Sequence, residues 1–231
     1  MKRIEFKTYE QYIKAQKRTV GKRGLGPYFT DIECYRIVEW LKNHRTINSS
    51  ISGICHGARN GLEADVLDAE LARFYIRVKM LATDLFPHSG KSAHYKTKTN
   101  VIECDFSEQN DEWIGAFDFV YSNSLDHARD PIQTLRVWFE QLRPCGCLFV
   151  QWTSGHRYAS KGDCFGAELY EYISVINSVG VVTDLLYVDA RKKTGRRGTR
   201  KLRRRALESI IIVASPLVEK GVHGLSNGIT V

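Results

Sequence analysis

From about residue 50 onward, apolar positions alternate between a strand-like period and a helix-like period, and that alternation predicts the architecture before any motif is considered. Ser52 to Cys55 reads as a short strand, Leu62 to about Phe74 as an amphipathic helix, and Val78 to Thr83 as a second strand ending on Asp84. Val101 to Cys104 is a third strand ending on Asp105, and Phe117 to Ser122 a fourth, followed directly by Asn123. Asp130-Pro131 then supplies an N-cap and a proline at the first helical position, after which Leu135, Trp138, Phe139 and Leu142 form an apolar stripe up to Pro144. Cys147 to Trp152 is a fifth strand, followed by a polar loop from Thr153 to Cys164 and a helix that faces Leu169, Ile173 and Ile176 inward. Val181 to Val188 and Ser209 to Ala214 read as an antiparallel pair that closes the sheet.

Upstream, residues 1–45 read as a helical cover segment over one end of the main fold. Tyr9 to Lys17 carries helix formers, Gly21, Gly24, Gly26 and Pro27 break the chain, and Thr30-Asp-Ile-Glu33 fits a capping box. Cys34, Ile37, Val38 and Leu41 then share one helical face. The expected fold class is therefore α/β: a doubly wound, mostly parallel, seven-stranded Rossmann-like sheet over 46–216 with the last strand antiparallel, plus N-terminal helices and a flexible tail at 217–231. In such sheets ligands bind beyond the carboxyl ends of the strands. The residues to examine are thus the loop at Gly57, Asp84, Asp105, Asn123 and the loop from Thr153 to Cys164.

Composition narrows the class. With 231 residues, 43% of them apolar, the chain can bury a sizeable core. The start, Met1 to Lys7, has no apolar signal region, and the longest aliphatic run, Ile210 to Ala214, is too short to span a bilayer; a soluble, cytoplasmic protein with no membrane partner is expected. Six cysteines without a CxxC pair read as reduced, and Cys145-x-Cys147 lacks the partners of a zinc site, so no metal is expected from the spacing. The net charge of +8 is local: ten of the 34 basic residues lie in 191–205, where no acid occurs, and the rest of the chain is nearly neutral. Arg196, Arg197, Arg200, Arg203 and Arg204 within the hairpin loop 190–206 are candidates for tracking a phosphate backbone or another polyanion; the alternative is a solvated hairpin tip.

Gly53-Ile-Cys-His-Gly57-Ala-Arg-Asn-Gly61-Leu-Glu63 is a glycine-punctuated turn between the first strand and its helix, where glycine permits positive φ and the helix start offers unpaired N–H groups. Asp84, 27 positions after Gly57, can accept both hydroxyls of a ribose or stand as an ordinary strand-end acid. Asp105 can accept from an exocyclic amine such as that of adenine, or cap the turn before Ser107 and Glu108.

With these positions in place, Ser50 to Ala214 resembles the class I S-adenosylmethionine-dependent methyltransferases. The likeness rests on the glycine motif, on Phe117-Asp-Phe-Val-Tyr-Ser-Asn-Ser-Leu-Asp-His127 followed by Asp130-Pro131, and on Leu142-Arg-Pro-Cys-Gly-Cys-Leu148. It favours the broad branch that includes many small-molecule methyltransferases. Relative to the family pattern, Cys55 stands at the usual acid, Arg59 at the second glycine and Cys145 at another glycine. The resemblance implies S-adenosylmethionine as cofactor, with Cys55, Gly57, Arg59 and Gly61 along its methionine and ribose, Asp84 at the ribose hydroxyls, Asp105 at the adenine and Phe106 packing on the base. It places Asn123 near the transferred methyl. Where an acceptor must lose a proton, His127 and His156 are the candidate bases; the alternatives are a structural His127 that bonds its helix start and an ordinary loop residue at His156.

Trp152, Tyr158 and Phe165 either wall an acceptor pocket or belong to the core. Asn123-Ser-Leu-Asp126 replaces the Asn/Asp-Pro-Pro-aromatic motif of enzymes that methylate exocyclic amines of bases, so a small-molecule acceptor is the leading expectation. The alternatives are a nucleic-acid-binding protein or RNA/DNA methyltransferase anchored by 191–205, and an inactive scaffold. A nicotinamide dehydrogenase fits the glycine spacing less well.

Overall fold

The computed structural model describes residues 1–20, 30–44, 50–87, 97–188 and 208–217. The arginines singled out at 196–204, the rest of the basic loop and residues 218–231 lie outside them. Strand β1 (Lys2–Arg3) and helices α1 (Tyr9–Val20) and α2 (Asp31–His44) precede an alternating series. That series runs β2 (Ser50–His56), α3 (Leu62–Ala72), β3 (Arg77–Asp84), β4 (Val101–Glu103), β5 (Phe117–Ser122), α4 (Pro131–Glu140), β6 (Leu142–Thr153), β7 (Phe165–Gly166), α5 (Leu169–Asn177), β8 (Gly180–Val188) and β9 (Ser209–Pro216).

Seven strands form one sheet in the order β4-β3-β2-β5-β6-β9-β8, parallel from β4 through β6, with β9 antiparallel to both of its neighbours. This is the doubly wound, mostly parallel sheet with an antiparallel end that the pattern predicts. Side chains on successive residues of a strand leave opposite faces, and the core divides accordingly. Ile54, Val120, Leu148, Val150 and Ile212 pack towards α4 and α5, whereas Cys55, Tyr121, Phe149, Ile211 and Val213 pack towards α2 and α3. Close strand approach needs Gly53, because a Cβ there would lie 2.3 Å from the Phe119 ring across the β2–β5 pairing.

Helix ends follow the expected caps. Thr30 N–H donates to the Glu33 carboxylate while Glu33 N–H donates to Thr30 Oγ1 at 3.4 Å, the two halves of a capping box. Asp130 Oδ1 accepts from Gln133 N–H at 3.1 Å at the start of α4. Helix α2 buries Cys34, Ile37, Val38 and Leu41, together with Trp40, whose Nε1–H donates to Asp184 Oδ2 at 3.0 Å and ties the helix to β8.

One sequence expectation needs correction. The fifth strand starts at Leu142 instead of Cys147: the Pro144 turn is absorbed as a bulge, with the register stepping from Phe117↔Leu142 to Phe119↔Cys147 and Cys145 at φ 66°. Helix α5 turns Leu169, Ile173 and Ile176 to the core as expected, and buries Tyr172 and Val175 beside them. The pairing of β1 with β7 has too few residues to carry a periodic signal. No helix among the described residues is long and apolar enough to cross a membrane, and all six cysteines are free thiols.

Candidate functional site

The glycine turn leaves β2 with an alternating left-handed backbone: Gly57 at φ 69°, Arg59 at φ 51° and Gly61 at φ 79°. An L-residue in this region costs roughly 1–2 kcal/mol, so Arg59 is held there by its surroundings. Those surroundings are the end of β3. Ala58 N–H donates to Thr83 O at 2.9 Å, and Arg59 N–H donates to Asp84 Oδ2 at 2.9 Å. The other oxygen of Asp84 accepts from Phe86 N–H at 2.8 Å. Each carboxylate oxygen has a second lone pair, so Asp84 is oriented by backbone yet still able to accept two further donors.

On the other side of the turn, a Cβ on Gly57 would stand 2.4 Å from Ser124 Oγ, so the turn abuts the segment after β5. Ser124 Oγ donates to Asn123 Oδ1 at 2.9 Å, and Ser122 Oγ donates to His56 O at 3.1 Å. Gly57, Arg59, Gly61, Asp84 and Asn123 therefore lie around the carboxyl ends of three adjacent strands. Cys55 does not: it is 1% exposed among core residues on the α2 side, and burial together with Glu63 pushes its thiol well above the usual range, so it stays neutral.

Asp105 follows β4 and is buried. Its Oδ1 accepts from Ser107 N–H at 2.9 Å, the turn-capping arrangement, and its Oδ2 accepts from Tyr9 Oη–H at 3.0 Å. Burial and the neighbouring carboxylate raise the Tyr9 phenol far above its ordinary value, which keeps it a donor. The Phe106 ring is 6% exposed and meets Trp138 edge-on at 5.4 Å within the core. Helix α1 continues across this end of the sheet, with Tyr12 Oη–H donating to His127 O at 3.2 Å and Gln16 Nε2–H to Gly162 O at 3.0 Å.

His127 and His156 both face Asp126. His127 Nε2 lies 3.7 Å from Asp126 Oδ1, His156 Nε2 lies 4.0 Å from Asp126 Oδ2, and His127 Nδ1 is 2.6 Å from Gly162 O and 3.3 Å from Asp163 Oδ1. Of the aromatic residues near this loop, Trp152 and Phe165 are core, while Tyr158 is 72% exposed.

Sequence reasoning passed over three residues here. Asp126 and Asp163 meet His127 only through folding, one after β5 and one before β7. His56, directly before Gly57, is fully buried, with Nδ1 2.8 Å from Thr83 Oγ1, Nε2 2.8 Å from Gln141 Oε1 and its ring stacked on Trp138 at 5.3 Å. Burial lowers its pKa to about 4, against a weaker opposing effect from Gln141. Its place inside the quoted motif was the available signal.

No protein-family model matches the sequence, and no curated protein sequence does. Solved structures do match. The CMeT domain of the citrinin polyketide synthase aligns at TM-score 0.52 and 16% identity, covering 80% of this chain and 52% of that one, so the chain spans about half the length of this relative. A putative methyltransferase in complex with the Haloferax volcanii Trm112 methyltransferase activator aligns at TM-score 0.57 and 13% identity, over 90% of this chain and 97% of that one. Haemonchus contortus phosphoethanolamine N-methyltransferase 2 in complex with S-adenosyl-L-methionine aligns at TM-score 0.52 and 14% identity, over 88% and 56%. Strand order, the antiparallel end and these neighbours agree: the chain has the fold of the class I S-adenosylmethionine-dependent methyltransferases.

Proposed function

We propose that this protein transfers a methyl group from S-adenosylmethionine to a small-molecule acceptor. The observation that carries the reading is the coupling of the left-handed turn 57–61 to Asp84 through the Arg59 N–H. It supports a nucleoside site because it aims a fixed carboxylate, with lone pairs to spare, at the strand ends where such folds bind ligands. The occurrence of S-adenosyl-L-methionine in a structural neighbour supports the choice of cofactor.

In this reading Asp84 holds the ribose hydroxyls and the backbone of Gly57, Arg59 and Gly61 lets the cofactor approach. Asp105 receives the adenine amine on lone pairs not used by Ser107 and Tyr9, with Phe106 at the edge of the base. Cys55, being buried, acts only by shaping the turn from beneath. Asn123 stands at the methyl, and His127 and His156 lie on the acceptor side. The cofactor supplies a sulfonium already activated for in-line displacement, so the protein's task is alignment, which can be worth up to roughly 7–11 kcal/mol.

Calorimetric titration with S-adenosylmethionine, S-adenosylhomocysteine and NAD tests the reading. Micromolar binding of the two sulfur compounds, lost in Asp84→Ala, is expected. Absence of binding together with an inert Asp84→Ala overturns it. The ten basic residues of 191–205 favour a second reading in which an RNA or DNA is the acceptor or partner, with Arg196, Arg197, Arg200, Arg203 and Arg204 on phosphates. Nucleic-acid binding that does not weaken with salt, or that survives neutralising these residues, would exclude it.

A further inference from the structure

Residues 1–20 cross the carboxyl end of the sheet, fastened there by hydrogen bonds and not by the core. Among the described side chains of residues 1–18, none joins either apolar cluster of the core. Of its described side chains α1 buries two, Tyr12 at 2% and Gln16 at 7% exposed, and each turns its polar group to a main-chain carbonyl. Tyr12 Oη–H donates to His127 O at 3.2 Å, and Gln16 Nε2–H donates to Gly162 O at 3.0 Å. Tyr9 Oη–H donates to Asp105 Oδ2 at 3.0 Å, with the Arg129 guanidinium 5.4 Å from the centre of its ring. Ahead of the helix, Ile4 N–H donates to Cys164 O at 2.7 Å, β1 pairs with β7 over two residues, and Arg3 meets Asp130 at 3.5 Å as an exposed pair. Helix α2, by contrast, buries Cys34, Ile37, Val38, Trp40 and Leu41.

A segment held in this way opens locally, because little apolar surface is exposed when it lifts. The donors and carbonyls of its latches regain water, so each bond opposes opening only weakly, and an exposed ion pair adds less still. What opening uncovers is the candidate site: the three latches sit on Asp105 after β4, on His127 after β5 and on Gly162 in the loop after β6. Asp105 is 8% exposed and Tyr9, bonded to it from outside, is 39% exposed, so Tyr9 stands between this carboxylate and solvent. We propose that residues 1–20 form a strap that gates cofactor exchange: S-adenosylmethionine enters and S-adenosylhomocysteine leaves while α1 is lifted, and α1 latches again over either one. In the nucleoside site proposed above, on which this inference rests, no latch consumes a group that the cofactor needs. His127 O and Gly162 O are main-chain carbonyls outside that site, and Asp105 keeps further lone pairs for the adenine amine. The strap is therefore a gate and not a competitor. A gate that latches equally with and without ligand scales both exchange rates by its open fraction and cancels from the affinity.

Hydrogen–deuterium exchange and stopped-flow binding of S-adenosylhomocysteine test the gate in Tyr12→Phe and in Tyr12→Phe/Gln16→Ala, which loosen latches away from the nucleoside site. Amides of residues 9–18 are expected to exchange faster in the variants than in the native chain, with those of α4 and β5 unchanged. Association and dissociation rates should rise together, about two- to tenfold for each latch removed, the factor one ordinary hydrogen bond sets in an equilibrium, while Kd stays within about twofold. Circular dichroism checks that each variant folds; should the double variant not fold, Tyr12→Phe alone decides. Exchange in 9–18 that neither variant raises overturns the latches. An affinity that falls with association unchanged also overturns the gate, since Tyr12 and Gln16 would then only shape the site. A native chain that binds neither S-adenosylmethionine nor S-adenosylhomocysteine refutes the cofactor reading and the gate together, whereas binding whose rates neither variant moves refutes the gate alone.

Discussion

His56 makes the stability of this fold sensitive to mild acid. Its ring is buried against Trp138, with Thr83 on one nitrogen and Gln141 on the other, and burial lowers its pKa from 6.5 to about 4. In the unfolded chain the same imidazole takes up a proton as pH falls through 6.5, whereas the folded chain refuses one until about 4, so in that window the unfolded state binds more protons and stability rises with pH. The contribution is complete above 7 and is lost progressively on acidification. At about 1.4 kcal/mol per unit, the linkage removes about 2 kcal/mol between pH 7.5 and 5 and about 3 by pH 4. Other groups titrate over the same range, so the measurement is a difference. Urea unfolding of the native protein and of His56→Gln is followed from pH 7.5 to 4. The variant is expected to be less stable at pH 7.5, through lost stacking and an unpaired Thr83 hydroxyl, but its pH dependence should be flatter by about 2 kcal/mol down to pH 5. Parallel curves for the two proteins would refute the assignment of a neutral, buried imidazole.

Three further outcomes follow from the site. Gly57→Ala places a Cβ 2.4 Å from Ser124 Oγ at φ +69°, and should cost about 2–4 kcal/mol in chemical denaturation, combining left-handed strain with overpacking, and should abolish S-adenosylmethionine binding measured by calorimetry. Arg59→Gly relieves left-handed strain but adds unfolded-state entropy, so stability should change by less than about 1 kcal/mol, with cofactor binding retained because the bond to Asp84 comes from the backbone N–H. Tyr9→Phe removes one donor from the Asp105 carboxylate at a cost of about 1.5–3 kcal/mol of stability; cofactor affinity should hold or rise, whereas Asp105→Ala should lower it, both read by the same titration.

The sheet was legible because its physical basis is local and repeated. Leu148, Val150 and Ile212 fall on one face and Phe149, Ile211 and Val213 on the other at the period that a twice-covered strand requires. The caps at Thr30 and Asp130 were legible for the same reason, since both bonds of a cap lie within four residues. What could not be read was anything depending on distant segments meeting. Asp163 approaches His127 across 36 positions and Tyr9 reaches Asp105 across 96, and neither leaves a periodic trace. The bulge at Cys145 was hidden because Pro144 and Gly146 read as the end of an element, whereas the strand accommodates them by letting extra residues loop out of register.

Arg59 shows how a departure from the usual glycine pattern can leave a site's shape intact. Glycine is favoured at such a position because φ > 0 strains other residues, yet Arg59 takes φ 51° between two glycines that do the same. The residue is held because its N–H has a partner in Asp84 and the preceding N–H has one in Thr83 O, so a return to an ordinary φ would break the stitching between two strand ends. At a net worth of about 0.5–1.5 kcal/mol for an ordinary hydrogen bond and more for one to a charge, these two bonds match the left-handed cost. Under the proposed function, the grip on a nucleoside would be set by main-chain groups and one carboxylate, with Arg59 and buried Cys55 bordering a turn whose path the backbone bonds hold. Arg59→Pro would separate the two ideas: it removes the N–H and forbids φ 51° together, so it should cost cofactor affinity far more than Arg59→Gly, and equal affinities for the two variants would show that the turn's path does not matter to binding.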